Sequence, residues 1–321
     1  MNKIIRFLLT IAVSSALFAC SSTSEVPEGD RLYTGLEPIK YTDYESNEHF
    51  TATQEEIEAA LDCPPNGAIF GSSYYRSPFP YSLWIWNAFH ESESPIGKWV
   101  TKTFGNQPVL MSWVNPALRA SVAQSQLRNH GYFRGTVNYE EKPYSKHPKA
   151  KIAYHVDCGH LFTIDTVTYS NFPLNADSLI AASADEAKIK SGSPFDVVSL
   201  DAERNRLSNL FRNNGYYYYQ PSYASYRADT VNTPGKVKLD VELADNLPEK
   251  ALKKWYIGNI SINLRRTFME ELKDSIHYYF FHAYFNGKKP PVRPRVIMSD
   301  MKLRHGQQYD YSKHTESNNR I

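Results

Sequence analysis

Part of this chain is written twice, and that repetition constrains its fold more than any other feature. Arg128-Asn129-His130-Gly131-Tyr132-Phe133 returns 84 residues later as Arg212-Asn213-Asn214-Gly215-Tyr216-Tyr217. At the same offset Asn115 aligns with Ser199, and both residue types cap helix N-termini. Pro116 takes the first helical position, where a missing N–H costs nothing. Gly131 and Gly215 fall where a helix ends in a left-handed residue. The glycine lets the chain reverse, and Tyr132, Phe133, Tyr216 and Tyr217 are expected to open a strand. Ile152, Tyr154 and Val156 then alternate with polar residues, as do Val237, Leu239 and Val241 85 positions on. A period of two marks strands with one buried face. Residues 143–148 and 229–235 read as hairpin turns.

The repeat extends upstream and downstream. Leu36, Ile39 and Tyr41 are matched by Ile164, Val167 and Tyr169, and these by Ile257, Ile260 and Ile262. Each set reads as a strand that opens a module. Thr53-Gln54-Glu55-Glu56 and Thr267-Phe268-Met269-Glu270 have capping-box form, the second leading a helix with Phe268, Leu272 and Ile276 on one face. Asp177 is a candidate cap for a helix carrying Leu179 and Ile180. The order is strand, helix, helix, strand, strand, repeated: an α+β fold of tandem βααββ modules. The first spans 32–158 with an insertion over 66–105 rich in Ser, Pro and Trp, the second 160–245. The third, 255–321, looks incomplete. Gly306 to Asp310 align with Gly192 to Asp196, after which only a short tail remains. Its final helix is then cut, both closing strands are missing, and the segment is expected to be poorly ordered.

The N-terminus reads as a targeting segment. Lys3 and Arg6 precede an apolar run from Phe7 to Ala19, too short for a bilayer core of roughly 30 Å. It ends Leu17-Phe18-Ala19-Cys20, which resembles the lipobox of bacterial lipoproteins. Residues 1–19 are then a signal peptide, Cys20 the lipidated residue, and 20–31 a polar tether. No later run approaches 18 apolar residues, which places the rest outside the cytoplasm and outside the bilayer.

Charge excludes one class of partner. Lys plus Arg is 36 and Asp plus Glu 34, and the first 19 residues hold two of the bases and no acid, so the mature chain balances at 34 of each. With no basic block, nucleic acid is not an expected partner. No phosphate loop, Gly-x-Ser-x-Gly elbow or His-Glu-x-x-His is present. No carboxylate pair has the setting of a catalytic dyad, so no enzyme activity, cofactor or metal is expected. His155, Asp157, Cys158 and His160 are metal-capable types, but strand alternation splits them between two faces. Cys63 and Cys158 share the first module and are candidates for a disulfide outside the cytoplasm. Tyr216 to Tyr219, Tyr223 and Tyr226 read as a strand with alternating buried and wet tyrosines, or as a sugar-binding stripe.

A βααββ unit whose second helix ends Gly-Tyr-Phe or Gly-Tyr-Tyr resembles a POTRA (polypeptide-transport-associated) domain. The lipobox, Val26-Pro27-Glu28-Gly29 before Leu32-Tyr33, and Arg212 to Tyr217 followed by Ala228-Asp229-Thr230 resemble the lipoprotein branch of the outer-membrane barrel assembly family. The resemblance implies a non-enzymatic region, lipid-anchored to the outer membrane and facing the periplasm. Its partners would be unfolded outer-membrane proteins and other envelope assembly proteins, captured by strand addition at an exposed sheet edge. The closing strands, Lys151 to Val156 and Lys236 to Leu243, or their sheet neighbours, are the candidate edges, with Lys238 and Asp240 as positions for proline. The family also carries a membrane barrel, for which this sequence has no strands, so the chain reads as a fragment or truncated product. The alternative is a lipoprotein enzyme acting on cell-envelope glycan.

Overall fold

The computed structural model describes residues 22–320, so the signal segment and Cys20 lie outside it. The fold is α+β. The described residues divide into two compact units between Phe162 and Thr163.

In the first unit, β4 (Lys149–Asp157) is the central strand of a mixed sheet. β1 (Leu32–Leu36) and β2 (Lys40–Thr42) run parallel along one side of it, and β3 (Thr136–Pro143) runs antiparallel along the other. Ala150, Ile152, Tyr154 and Val156 point from β4 into the core, each at most 1% exposed. Full burial of side chains such as Ile152 and Val156 contributes roughly 1.5–3 kcal/mol apiece. Helices α1 (Glu48–Leu61) and α5 (Pro116–Asn129) cover that face with Phe50, Ile57 and Leu61 from one, and Ala120, Ala123 and Leu127 from the other. Arg119 locks the pair: its guanidinium donates to the carbonyls of Ala60 (3.2 Å) and Asp62 (2.8 Å), which α1 leaves without helical partners. Between α1 and α5 come α2 (Tyr81–Phe89), α3 (Pro95–Phe104) and the single turn α4 (Met111–Val114). The buried side chain of Asn66 pins the ends of this insertion together, donating to Gln107 O and accepting from Val109 N–H, both at 2.7 Å.

The second unit opens with the same design. β7 (Lys236–Leu243) is central, β5 (Thr163–Ser170) is parallel to it and β6 (Ala224–Asp229) antiparallel. The register repeats that of the first unit: Leu36 faces Ile152 as Ile164 faces Val237, and Tyr41 faces Val156 as Tyr169 faces Val241. Helices α6 (Leu174–Ala182) and α7 (Val197–Asn213) pack against each other, and α7 meets the sheet where Glu203 and the Leu200 carbonyl accept the hydroxyls of Tyr169 and Tyr226.

Residues 255–320 depart from the expected picture. The helix anticipated over Phe268, Leu272 and Ile276 does not form. Ile276 lies instead in β9 (Asp274–Tyr278), which turns at Tyr279, with φ 52°, into β10 (Phe281–Phe285). Aromatic and β-branched residues on alternating positions outweighed the capping box here, and Glu270 uses its carboxylate to accept Arg266 N–H in a loop. The hairpin completes a sheet that was expected to lack its closing strands. β8 (Ile260–Asn263) runs parallel to β10, and β9 antiparallel. Phe281 and Ala283 thereby face Ile260 and Ile262, as Leu239 and Val241 face Val167 and Tyr169. Strands precede helices in this segment, since α8 (Pro294–Asp300) and α9 (Tyr311–Arg320) follow the sheet. The expected poorly ordered tail is in fact a small folded body, with a core of Phe281, Ala283, Ile297 and Met301. The entry loop still matches that of the second sheet: Gly192 N–H donates to Ile164 O and Gly306 N–H to Ile257 O, both at 2.7 Å, and Ile164 and Ile257 donate to Ser193 O and Gln307 O, both at 2.8 Å.

Two helix starts differ from expectation because a better-placed cap lies upstream. Asn47 accepts Phe50 N–H and starts α1. Thr53 is therefore inside the helix, its hydroxyl donating to His49 O. Asp196, not Ser199, caps α7, accepting Val198 N–H at 2.8 Å. Asp177 lies in the first turn of α6, which begins after Pro173. Asn115 does cap α5, accepting Leu118 N–H.

Candidate interaction edges

Helices α5 and α7 end alike. Gly131 and Gly215 have φ of 87° and 97°. Tyr132 N–H donates back to Leu127 O (2.9 Å) and Tyr216 N–H to Phe211 O (3.1 Å), the long bond of a Schellman cap. The aromatics after each glycine do not begin strands. Tyr132 and Phe133 form a turn before β3. Tyr216 to Tyr219 wind through a tight turn, closed by Tyr219 N–H to Tyr216 O, and a 3-10 turn follows before β6 starts at Ala224. Each cap tucks a tyrosine inward: Tyr132 is 2% and Tyr216 4% exposed, while Tyr217 is 41% exposed. Phe133 packs edge-on against Phe162, 5.1 Å between centroids.

These reversals deliver β3 and β6 to the outside of their sheets. The closing strands β4 and β7 are not edges. Each is paired on both sides, so the expectation that they offer an open flank is corrected in favour of their neighbours. Among the described residues no strand or bridge lies along the outer flank of β3, β6 or β9. The parallel flank is different, because the start of β1 bridges Leu110 and the start of β5 bridges Pro194.

Backbone parity identifies the free groups. Tyr144 N–H donates to Lys149 O, its direct opposite, so even-numbered residues of β3 bond inward to β4. The N–H groups of Val137, Tyr139 and Glu141 therefore point outward, and Pro143 occupies an outward position where no donor is needed. On β6, Ala244 N–H donates to Tyr223 O, which aims Ala224, Tyr226 and Ala228 outward. By the same parity Lys238 and Asp240 bond inward to β6. Proline there would break the ladder instead of blocking an edge, so neither position probes strand addition. β3 is the longest open flank, with Thr136 to Tyr139 uncharged and Glu140, Glu141 and Lys142 at its far end. Charges of this kind restrain edge-to-edge association.

The other candidate sites do not assemble into chemistry. Cys63 and Cys158 are both free. Cys158 is fully buried, and burial, reinforced by the charges of Asp157 and Asp43, pushes its thiol up to about 12, which keeps it protonated and unreactive. Asp157 is exposed at the end of β4, and the His160 ring rests near Phe162. The tyrosine run contributes Tyr217 and Tyr218 to a shallow hollow with Trp255, Tyr256, Tyr309 and His314. No carboxylate lines it, whereas glycoside hydrolysis uses a pair. Tyr223 and Tyr226 are engaged elsewhere, Tyr223 stacked edge-on to Tyr219 and the Tyr226 hydroxyl donating to Leu200 O. The sequence reading missed Glu203, a fully buried acid in α7 that holds Arg206, Tyr169 and Lys188 together.

No protein-family profile matches the chain, and no curated protein does. Solved structures do resemble it. The chain is similar to BamA POTRA3-5 of Haemophilus influenzae, with 9% identity and TM-score 0.39 over 92% of this chain and 87% of that one. It is similar to POTRA1-3 of the periplasmic domain of Omp85 from Anabaena, with 10% identity and TM-score 0.31 over 92% and 85%. The N-terminal domain of Omp85 from Thermosynechococcus elongatus matches at 13% identity and TM-score 0.24 over 72% and 80%.

Proposed function

We propose that this chain is the periplasmic POTRA region of an outer-membrane protein assembly or translocation factor of the TamL-like lipoprotein kind. It binds an extended segment of an unfolded outer-membrane protein, or of another envelope assembly protein, by strand addition. The observation that carries the proposal is the open flank of β3, where the N–H groups of Val137 and Tyr139 point outward from an uncharged stretch. Main-chain pairing reads an extended conformation more than a sequence, which suits a factor with many clients. The balanced mature charge implies capture without long-range steering and with mild salt dependence.

Parity supplies the test. Tyr139→Pro removes an outward donor, and Glu140→Pro removes an inward one that the sheet needs. Crosslinking of the purified chain to an unfolded barrel-protein peptide should fall about tenfold or more with Tyr139→Pro at nearly unchanged melting temperature. Glu140→Pro should lower the melting temperature itself. Ala228→Pro and Arg227→Pro repeat the comparison on β6. If every outward proline leaves crosslinking intact, edge capture is not how the chain works.

The anchor has its own test. We propose that Cys20 is acylated and holds the chain to the periplasmic face of the outer membrane, since a multiply acylated cysteine gives stable attachment. A labelled fatty acid should mark the wild type and not Cys20→Ser. Equal labelling of both would remove the anchor from the proposal.

A further inference from the structure

We infer that the α2–α3 insertion of the first unit is a membrane-docking element that lies in the lipid interface. The inference goes beyond edge capture and rests in part on the Cys20 anchor proposed above. Its first ground is a helix whose apolar stripe stays largely at the surface. Along α3, Ile96, Trp99, Val100 and Phe104 recur at helical spacing and form one apolar stripe. In a helix that packs on a core, that stripe is buried. Here Ile96 is 76%, Trp99 59% and Phe104 52% exposed, and the only buried residue of the helix is Gly97. The inward side of the helix is Gly97 with the half-buried Val100 and Thr101, and Ser92 and Ser94 of the entry loop crowd the glycine so that a Cβ would lie 2.1 Å from Ser92 Oγ, while Ile96, Trp99 and Phe104 stay outside that contact. α2 is apolar around its circumference yet buries Leu83 alone, leaving Tyr81 and Phe89 at the surface.

The chemistry of the exposed face selects a lipid surface as the occupant. Neither helix contains an acid. α3 carries Lys98 and Lys102 on the side away from its stripe. Bulky aromatics beside lysine stems suit the boundary between head groups and acyl chains, where an aromatic body is half immersed and a lysine reaches for water. No helix among the described residues is long and apolar enough to cross a membrane, so the element would lie along the surface and not span it.

The third ground is position. His90, which ends α2, pairs through Nε2 with the Glu25 carboxylate at 3.3 Å. Cys20 precedes Glu25 by five residues, a reach of at most about 18 Å of extended chain. An acyl group on Cys20 would thus be tethered within that distance of α2–α3, close enough for both to engage one membrane surface. A second weak contact beside a lipid anchor is the combination that makes attachment stable. Glu91 and Glu93 in the connecting loop offset the two lysines, so docking should depend on the aromatics more than on anionic lipid.

The test uses the chain from Ser21 onward, which keeps every described residue and has no anchor. It should float with vesicles of phosphatidylethanolamine and phosphatidylglycerol, with brominated acyl chains quenching its tryptophan fluorescence. Ile96→Ser/Trp99→Ser/Phe104→Ser should reduce vesicle binding about tenfold or more, at unchanged melting temperature because all three side chains are exposed. The single change Ile96→Asp serves as a second variant. Absence of flotation by the parent chain overturns the inference and leaves fatty-acid labelling of Cys20 as a separate result. Equal binding by parent and variants overturns it too. A parent that is dimeric in solution and becomes monomeric in the variants would mean that a second copy covers the face, which also overturns it.

Discussion

Glu203→Ala should destabilise the second unit by about 3–5 kcal/mol, because it strands a buried cation. Glu203 is fully buried on α7, and its carboxylate receives Arg206 Nη2 at 2.6 Å, Arg206 Nε at 2.9 Å, Lys188 N–H at 2.8 Å and the Tyr169 hydroxyl at 2.8 Å. Burial alone would raise its pKa. The bonds from Arg206, the Lys188 backbone and Tyr169 outweigh that and hold the carboxyl below the usual range. A group depressed in this way adds stability that is complete above the unfolded glutamate pKa, about 4.3, and drains away as pH falls through the folded value. Denaturant titrations of the parent should therefore show stability lost below about pH 4, and Glu203→Ala should flatten that slope. Glu203→Leu/Arg206→Leu should recover much of the loss, since a packed apolar pair often replaces a buried ion pair at little cost. A loss under about 1 kcal/mol for Glu203→Ala would mean the network is not structural.

Glu203 was legible in principle. Leu200, Leu207 and Phe211 are buried at its i−3, i+4 and i+8 positions, so an acid interrupts an apolar stripe, with an arginine three residues on. The repeat was read from caps, glycines and closing strands because these are local signals. The register of β1, β2 and β5 agrees with those matches at Leu36 and Ile164 and at Tyr41 and Tyr169, while Ile39, matched to Val167, lies between β1 and β2 and outside both strands. The order of strands within each sheet is not local. That β4 and β7 are central, and β3 and β6 open, depends on pairing with segments more than 60 residues away, which alternation alone does not specify.

Residues 267–285 show the opposite failure. A capping box promised a helix, but Ile276 and Tyr278 alternate on one strand while Phe281, Ala283 and Phe285 are buried on the next. A helical i, i+4 spacing and a two-residue periodicity overlapped, and pairing with β8 decided between them. The insertion was opaque for another reason. It is rich in Ser, Pro and Trp and carries no repeat partner, and residue type alone does not show that Ile96, Trp99 and Phe104 of α3 stay exposed.

Phe211→Ala should cost the second unit about 3–5 kcal/mol, the range for removing a fully buried aromatic ring. Phe211 is 1% exposed, and its ring meets Phe172 at 5.8 Å, Tyr216 at 5.8 Å and Tyr219 at 4.6 Å between centroids. It also supplies the carbonyl that accepts Tyr216 N–H in the cap of α7, so one residue ties the helix end, the left-handed glycine and the tyrosine turn together. The corresponding residue in the first unit is Leu127, likewise fully buried and likewise the acceptor for Tyr132 N–H. The exchange Phe211→Leu tests that equivalence. It should cost less than half as much as alanine, because it keeps the repeat's own alternative in place. Tyr217→Ala, at an exposed position of the same turn, should change stability by under about 1 kcal/mol. If Phe211→Ala and Tyr217→Ala lower the denaturant midpoint equally, the ring is not a keystone of this helix end, and the glycine-aromatic motif that marks both units is conserved between them for its backbone turn alone.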